Sequence, residues 1–259
     1  MTIQTVDWYD YPQYYEMAFA DETRDEADFL EAACEKYVDF PVRRMFEPGC
    51  GGGRLVFEMA CRGYQAIGLD NNAKSLAYFK RRLARRGLSG ELINGDMTNF
   101  QLSQPVDAAF CTFNTFRHLT IERAAQDHLL AVANNLRTGG IYILGLHMLP
   151  LDIDLASEER WRAQRGQTKV NFTLRVLSAS RRDRLESIRM LMRVRTPKRD
   201  MRMKTEFALR MYTASQFRRT LESVPQFQLC DVYDFWYDID DPQVFDDVIT
   251  DTVFILRKV

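Results

Sequence analysis

Phe46-Glu47-Pro48-Gly49-Cys50-Gly51-Gly52-Gly53-Arg54 is the stretch whose reading decides the fold. Glycines at positions 49, 51 and 53 leave the backbone bare, so a ligand can approach it closely. Val42 to Phe46 is a short apolar run suited to a buried strand, and Leu55 to Arg62 before Gly63 has helical length and a helical stop. The glycines therefore sit in a strand-to-helix turn. The helix points its unpaired N–H groups and positive dipole end at whatever lies over the loop, which suits a nucleotide-like ligand.

The dinucleotide fingerprint G-x-G-x-x-G needs a glycine where this chain has Arg54, so a NAD-dependent oxidoreductase is excluded. The order is instead acidic-x-Gly-x-Gly-x-Gly, led by Glu47, and it resembles the first motif of the class I S-adenosylmethionine-dependent methyltransferases. Three further matches follow. Gln65 to Leu69 reads as a second strand ending in Asp70, at the spacing where an acidic side chain accepts ribose hydroxyls. Leu92 to Asn94, followed by Gly95-Asp96-Met97, is similar to the third strand and its adenine-contacting Asp. Val106 to Thr112 and Ile141 to Leu146 resemble strands four and five, the latter preceded by Leu136-Arg137-Thr138-Gly139-Gly140. The resemblance covers residues 42 to 147.

It implies an α/β fold with a doubly wound, seven-stranded, mostly parallel sheet in the order 3-2-1-4-5-7-6, the seventh strand antiparallel. It also implies S-adenosylmethionine as cofactor. Glu47 and the loop residues Gly49, Cys50, Gly51 and Gly53 then hold the methionine end and Asp70 the ribose, with Asn71 next to it as a further cofactor-binding residue. Asp96 with Met97 holds the adenine, and Thr112 ends strand four beside the cofactor.

At 259 residues and 46% hydrophobic content the chain can bury a full core. One methyltransferase domain is expected over 1–259, with an N-terminal helical lid over 1–40 and a small antiparallel insertion over 150–212. No apolar run approaches the roughly 20 residues that span a bilayer, and Met1 to Asp10 lacks the basic and apolar regions of a signal peptide. A cytoplasmic protein without a membrane partner is the expectation. Cys34, Cys50, Cys61, Cys111 and Cys230 form no C-x-x-C pair, so reduced thiols are expected rather than disulfides or zinc. A net charge of −1 gives no overall pull toward nucleic acid. Asp238, Asp240, Asp241, Asp246 and Asp247, with Pro242 among them, read as an acidic loop and not as a metal site.

Trp8, Tyr9, Tyr11, Tyr14, Tyr15 and Phe19 crowd aromatic groups ahead of any strand. They either pack on the core or form a lid whose Tyr14 or Tyr15 closes over cofactor and substrate, and the resemblance favours the lid. Asp25 to Phe40 reads as a docking helix ended by Pro41. Asn72 to Arg86 turns Leu76, Phe79 and Leu83 inward and Lys80, Arg81, Arg82, Arg85 and Arg86 outward as a solvated face, and Thr120 is placed to cap the next helix. After strand five, about 65 residues precede a helix over Ala214 to Val224 with a Thr213/Gln216 capping box, and insertions of that size usually carry function. Lys169 to Leu177, Leu185 to Val194 and Met203 to Tyr212 read as three antiparallel strands, and Phe227 to Tyr233 and Thr252 to Leu256 as the last two strands of the main sheet.

The leading function is methyl transfer to a small-molecule acceptor, on nitrogen or oxygen. The alternatives are an RNA or protein methyltransferase, supported by basic turns at Arg181, Arg182, Arg184 and Pro197-Lys198-Arg199, and a non-catalytic S-adenosylmethionine-binding protein. The tetrad of amino-methylating nucleic-acid enzymes is absent, its place reading Thr112-Phe113-Asn114-Thr115. Tyr14, Tyr15, Asn114, Arg210 and Tyr212 are the candidate acceptor-binding residues. His147 and His118 follow strands five and four and are the candidate general bases, with His147 ahead; His128 lies in a helical stripe and is structural. Oligomeric state has no signature in the sequence.

Overall fold

A computed structural model describes residues 3–151 and 156–259. The N-terminal segment supplies β1 (Gln4–Thr5), a short 3-10 turn over Trp8–Asp10, α1 (Pro12–Ala18) and α2 (Thr23–Tyr37). Pro12 at the first helical position starts α1. Then β2 (Arg44–Pro48), α3 (Arg54–Cys61), β3 (Gln65–Asp70), α4 (Ala73–Arg85), β4 (Glu91–Asn94), β5 (Val106–Cys111), α5 (Glu122–Asn135) and β6 (Leu136–His147) alternate as the sequence reading expects. The chain continues through β7 (Glu158–Arg165), β8 (Thr168–Ser180), β9 (Leu185–Thr196) and β10 (Arg199–Arg210), and ends with α6 (Ala214–Glu222), β11 (Phe227–Tyr233) and β12 (Asp251–Lys258).

The main sheet runs β11-β12-β6-β5-β2-β3-β4, which is the expected order. Its inner strands are parallel, and β12 runs antiparallel between β6 and β11. Strand periodicity sends neighbouring residues to opposite faces. Met45, Phe110, Ile143 and Ile255 enter the core under α2 and α3, while Phe46, Ala109, Leu144 and Phe254 enter the one under α5 and α6. Thr213 and Gln216 make both bonds of the expected capping box.

Three expectations are corrected. The insertion has four strands, not three, and β1 adds a fifth by pairing parallel with β10 in the order β1-β10-β9-β8-β7. β7 escapes a hydrophobic scan because only Trp161 and Ala163 of Glu158–Arg165 are apolar, and those two alone face the interior. Thr120 does not cap α5: Ile121 holds that position with no side-chain bond. Strand five starts not at Ile141 but at Leu136, which already stands opposite Val106 at the head of β6.

A third core lies between this second sheet and the N-terminal segment. Trp8 and Met17 pack there against Val170, Phe172, Met190, Met192, Val194 and Met203. The Trp8 N–H donates to Thr205 Oγ1 at 2.9 Å, so the segment is bound to the insertion by backbone pairing, side-chain bonds and burial together. Both sit over the carboxyl edge of the main sheet, where open α/β sheets bind ligands.

Candidate active site

The glycine loop leaves β2 and is held by β3. Gly49 and Cys50 donate their N–H groups to Leu69 O at 2.7 and 3.0 Å, and Gly51 N–H donates to Asp70 Oδ2 at 2.7 Å. Gly49 needs glycine twice over: its φ is +72°, and a Cβ there would stand 2.5 Å from Thr115 Cγ2. Glu47 Oε2 accepts the Val56 N–H at 3.0 Å, satisfying one of the free donors of the first turn of α3.

Above the loop is a cavity of about 310 Å³. Of the expected cofactor residues, Glu47, Gly49, Cys50, Gly51, Asp70, Asn71, Met97 and Thr112 line it. Gly53 and Asp96 do not. Gly53, at φ +75°, caps α3 against the Phe79 ring, and Asp96 is exposed with Oδ1 accepting both the N–H and the hydroxyl of Thr98 at 2.8 Å. Met97 is fixed from behind. His128 Nδ1 donates to its carbonyl at 2.8 Å, and the Tyr142 hydroxyl donates to His128 Nε2 at 2.7 Å.

The residues suit S-adenosylmethionine. Nothing would meet a Cβ at Gly51, so the loop backbone there is open to a ligand. Burial pushes the Glu47 carboxyl up to about 8 and raises Asp70 as well, Arg54 opposing the rise at Glu47 and backbone N–H groups opposing it at Asp70. Asp70 has no ion pair among the described residues and Glu47 shares Arg54 with Glu26, so the two buried carboxyls accommodate hydroxyl donors and an ammonium. Asp70 already accepts Gly51 and Asn72 N–H groups, but a carboxylate has about four acceptor sites, which leaves two for ribose hydroxyls.

The rest of the wall comes from the N-terminal segment and from the turn after β5. Asp7, Tyr9, Pro12 and Tyr15 cover one side, with Phe113, Thr115 and His118 opposite. Tyr15 therefore lines the cavity, whereas Tyr14 stacks on Tyr11 and packs toward the second sheet. The Tyr9 Oη lies 2.8 Å from His118 Nε2. Burial, with the Arg117 charge behind it, lowers the His118 imidazole to about 4.

His147 lies elsewhere. Its Nδ1 meets Asp251 Oδ1 at 2.7 Å and its ring packs edge-on against Phe235, off the cavity wall, because β12 crosses beside the end of β6. The expected acceptor residues Asn114, Arg210 and Tyr212 are also outside the lining. Asn114 Oδ1 accepts the His147 N–H at 2.9 Å, and its N–H donates to Gly145 O, so it latches β5 to β6. Arg210 donates to Thr120 O and to Glu122 Oε2 at 2.6 and 2.7 Å, and Tyr212 is fully buried between Phe116 and Phe217. Arg184, one of the basic turn residues, binds Glu122 as well.

Two arginines hold the enclosure together. Arg54 pairs with Glu26 of α2 at 2.7 Å, and Glu26 also accepts the Thr112 hydroxyl at 2.8 Å, joining α2, α3 and the end of β5. Arg82, read from sequence as part of a solvated face, is instead half-buried: it donates to Gly53 O at 3.0 Å and pairs with the buried Glu16 of α1. Its place in a basic cluster masked it. The other missed residues, Asp7, Tyr9, Asn72 and Ser75, are gathered by contacts such as Ser75 Oγ to Tyr9 O at 2.7 Å, which cross more than sixty positions.

Residues 46–140 match the methyltransferase-domain family. No curated protein matches the chain. Among solved structures it is similar to an S-adenosylmethionine-dependent methyltransferase from Clostridium acetobutylicum, with TM-score 0.78, 15% identity and coverage of 96% of this chain and 97% of that one. It is also similar to an amino pentose methyltransferase from Micromonospora echinaspora involved in calicheamicin biosynthesis, with TM-score 0.73, 18% identity and full coverage of both chains. A sugar N-methyltransferase from a Streptoalloteichus species gives TM-score 0.73 and 15% identity over 100% of this chain and 95% of that one.

Proposed function

We propose that this chain, a class I S-adenosylmethionine-dependent methyltransferase, methylates an amine nitrogen of a small-molecule acceptor. The observation that carries the reading is the charge of the wall. Asp7 and Asp70 line the cavity together with Glu47, which ionises when the cofactor's ammonium arrives, and the one guanidinium among its described lining residues, Arg54, is paired with Glu26. An anionic acceptor meets repulsion there, while an amine that gains positive charge on attack is favoured. The amino pentose and sugar N-methyltransferases with similar folds support the same choice.

S-adenosylmethionine, when bound, supplies an electrophilic methyl group. Glu47 and the loop N–H groups hold its methionine end, Asp70 and Asn71 its ribose, and Met97 borders its adenine. The N-terminal segment acts as a lid, with Tyr15 and Pro12 excluding water above the loop. Tyr9 accepts a hydrogen bond from the acceptor N–H while its own proton is held by His118 Nε2, which aims the nitrogen lone pair at the methyl group. After attack, the ammonium proton passes to the Tyr9 oxygen as the Tyr9 proton passes to His118. An imidazole near 4 is a weak base, so positioning is its larger contribution.

The test is release of S-adenosylhomocysteine across pooled amines, alcohols, carboxylates and RNA. Release with amines alone supports the proposal. Release with RNA alone, or with none of the pools, replaces it with one of the alternative readings.

A further inference from the structure

The second sheet presents a face that the site does not use. Residues 157–210 hold 16 Lys and Arg against 6 Asp and Glu, whereas the rest of the chain holds 19 against 30. The inner side chains of this sheet face the N-terminal segment, and alternate residues point the other way. On that outer face the register lines up cations across the strands. Arg162 lies opposite Asn171, Asn171 opposite Arg193, and Arg193 opposite Arg202. On flanking rungs Lys169 faces Arg195, and Arg175 faces Arg189.

Directly opposed like charges destabilise a sheet. Arg175, Arg189 and Arg193 are compensated in place by Glu158, Glu206 and Asp200. Arg162 and Lys169 are exposed and form no ion pair among the described residues, while Arg195 and Arg202 share with Arg193 the single carboxylate of Asp200, so the face keeps an excess of positive charge. An anionic surface laid on this face relieves the repulsion, and the chain itself supplies one. Residues 234–247 carry six aspartates and no lysine or arginine, and Trp236 among them is 87% exposed. Trp236 borders a shallow cleft with Asp25, Asp28 and Asp238. Tryptophan and arginine are the side chains that anchor protein interfaces, and a guanidinium stacks on an indole. Strands β7 to β10 point no aromatic side chain outward from those rungs to stack on a nucleobase, which disfavours single-stranded nucleic acid.

We infer that two copies of this chain associate, the outer face of the second sheet of one docking on the 234–247 segment of the other. Two such contacts, exchanged reciprocally, close a two-fold dimer. This is independent of the acceptor's identity.

Sedimentation velocity tests it. At about 50 mM salt the wild type is expected above the 30.3 kDa of one chain, and at about 500 mM, where screening is strong, at one chain. Arg162→Glu/Arg202→Glu, and separately Trp236→Ser, all at exposed positions, are expected to sediment as single chains at low salt with S-adenosylhomocysteine affinity unchanged. Mixing Arg162→Glu/Arg202→Glu with Asp240→Lys/Asp241→Lys is expected to restore association, since both reciprocal contacts are then complementary. A wild type that is a single chain at low salt overturns the inference, whether or not it then binds duplex RNA or anionic vesicles. So does association that survives both variants.

Discussion

Tyr9 and His118, 109 positions apart, share a 2.8 Å hydrogen bond at the cavity wall. One comes with the N-terminal segment and the other with the turn after β5, so the pair exists only when the enclosure is assembled. Burial raises the Tyr9 phenol well above its ordinary range and lowers His118 to about 4, so the phenol donates and the imidazole accepts.

His118→Ala is therefore expected to lower kcat about tenfold, less than the hundredfold or more of a base matched to neutral pH. The profile of kcat between about pH 6 and pH 8 should keep its shape, because His118 is already neutral there. His147→Ala should leave kcat unchanged. A loss at His147 equal to that at His118 would move the reacting centre toward Asp251.

The same burial has a cost in acid. His118 and His128 are both lowered to about 4 in the folded state, so the unfolded chain binds their protons first as pH falls below about 6.5. Their contribution to stability is present above that value and is lost as pH falls toward about 4. Urea midpoints at a series of pH values should fall over this window, and His128→Gln should shrink the slope if its neutral bonds to Met97 and Tyr142 survive. A flat midpoint across the window contradicts the assignment.

Glu47 works in the opposite sense. Burial holds its carboxyl at about 8, so at neutral pH it is mostly protonated before the cofactor arrives, and an ammonium beside it favours the carboxylate. Calorimetry of S-adenosylhomocysteine binding at about pH 7, in buffers of different ionisation enthalpy, should show release of about one proton. Glu47→Gln should abolish that release. Equal heats in all buffers for the wild type would refute a protonated Glu47.

Asp70→Ala removes a charge-assisted acceptor worth roughly 1.5 to 3 kcal/mol and also frees the Gly51 and Asn72 N–H groups. Affinity for S-adenosylhomocysteine should fall at least about tenfold in a folded protein. Asp96→Asn should cost far less, since Asp96 is outside the lining and braces Thr98. Equal losses would place adenine on Asp96 after all.

Arg82→Met leaves Glu16 buried without its cation and should destabilise the fold by about 3 kcal/mol. Adding Glu16→Gln should recover most of that loss. Cofactor affinity should stay reduced in both variants, because the Gly52 and Gly53 carbonyls lose their donor.

What the sequence made legible was whatever repeats locally. The glycine loop, the alternating strands and helices and the Thr213 capping box all advertise themselves within a dozen residues. β7 was hidden because a strand with one buried face needs only alternate apolar residues, and Glu158–Arg165 supplies two. Arg82 looked solvated because its neighbours Lys80, Arg81 and Arg85 are, and only the approach of α1 distinguishes it. His147 follows strand five directly in the sequence, but the crossing of β12 beside β6 gives it Asp251 as a partner. Tyr9 had no motif to mark it. Its role is set by a contact with a residue more than a hundred positions away.

Methylation of an amine, as opposed to a hydroxyl or a carboxylate, is decided by the atom that receives the methyl group. Turnover with isotope-labelled S-adenosylmethionine on acceptors carrying both an amine and a hydroxyl, followed by NMR of the product, gives that atom. The labelled methyl is expected to be bonded to nitrogen. A labelled methyl on oxygen, or on a carboxylate acceptor, would contradict it.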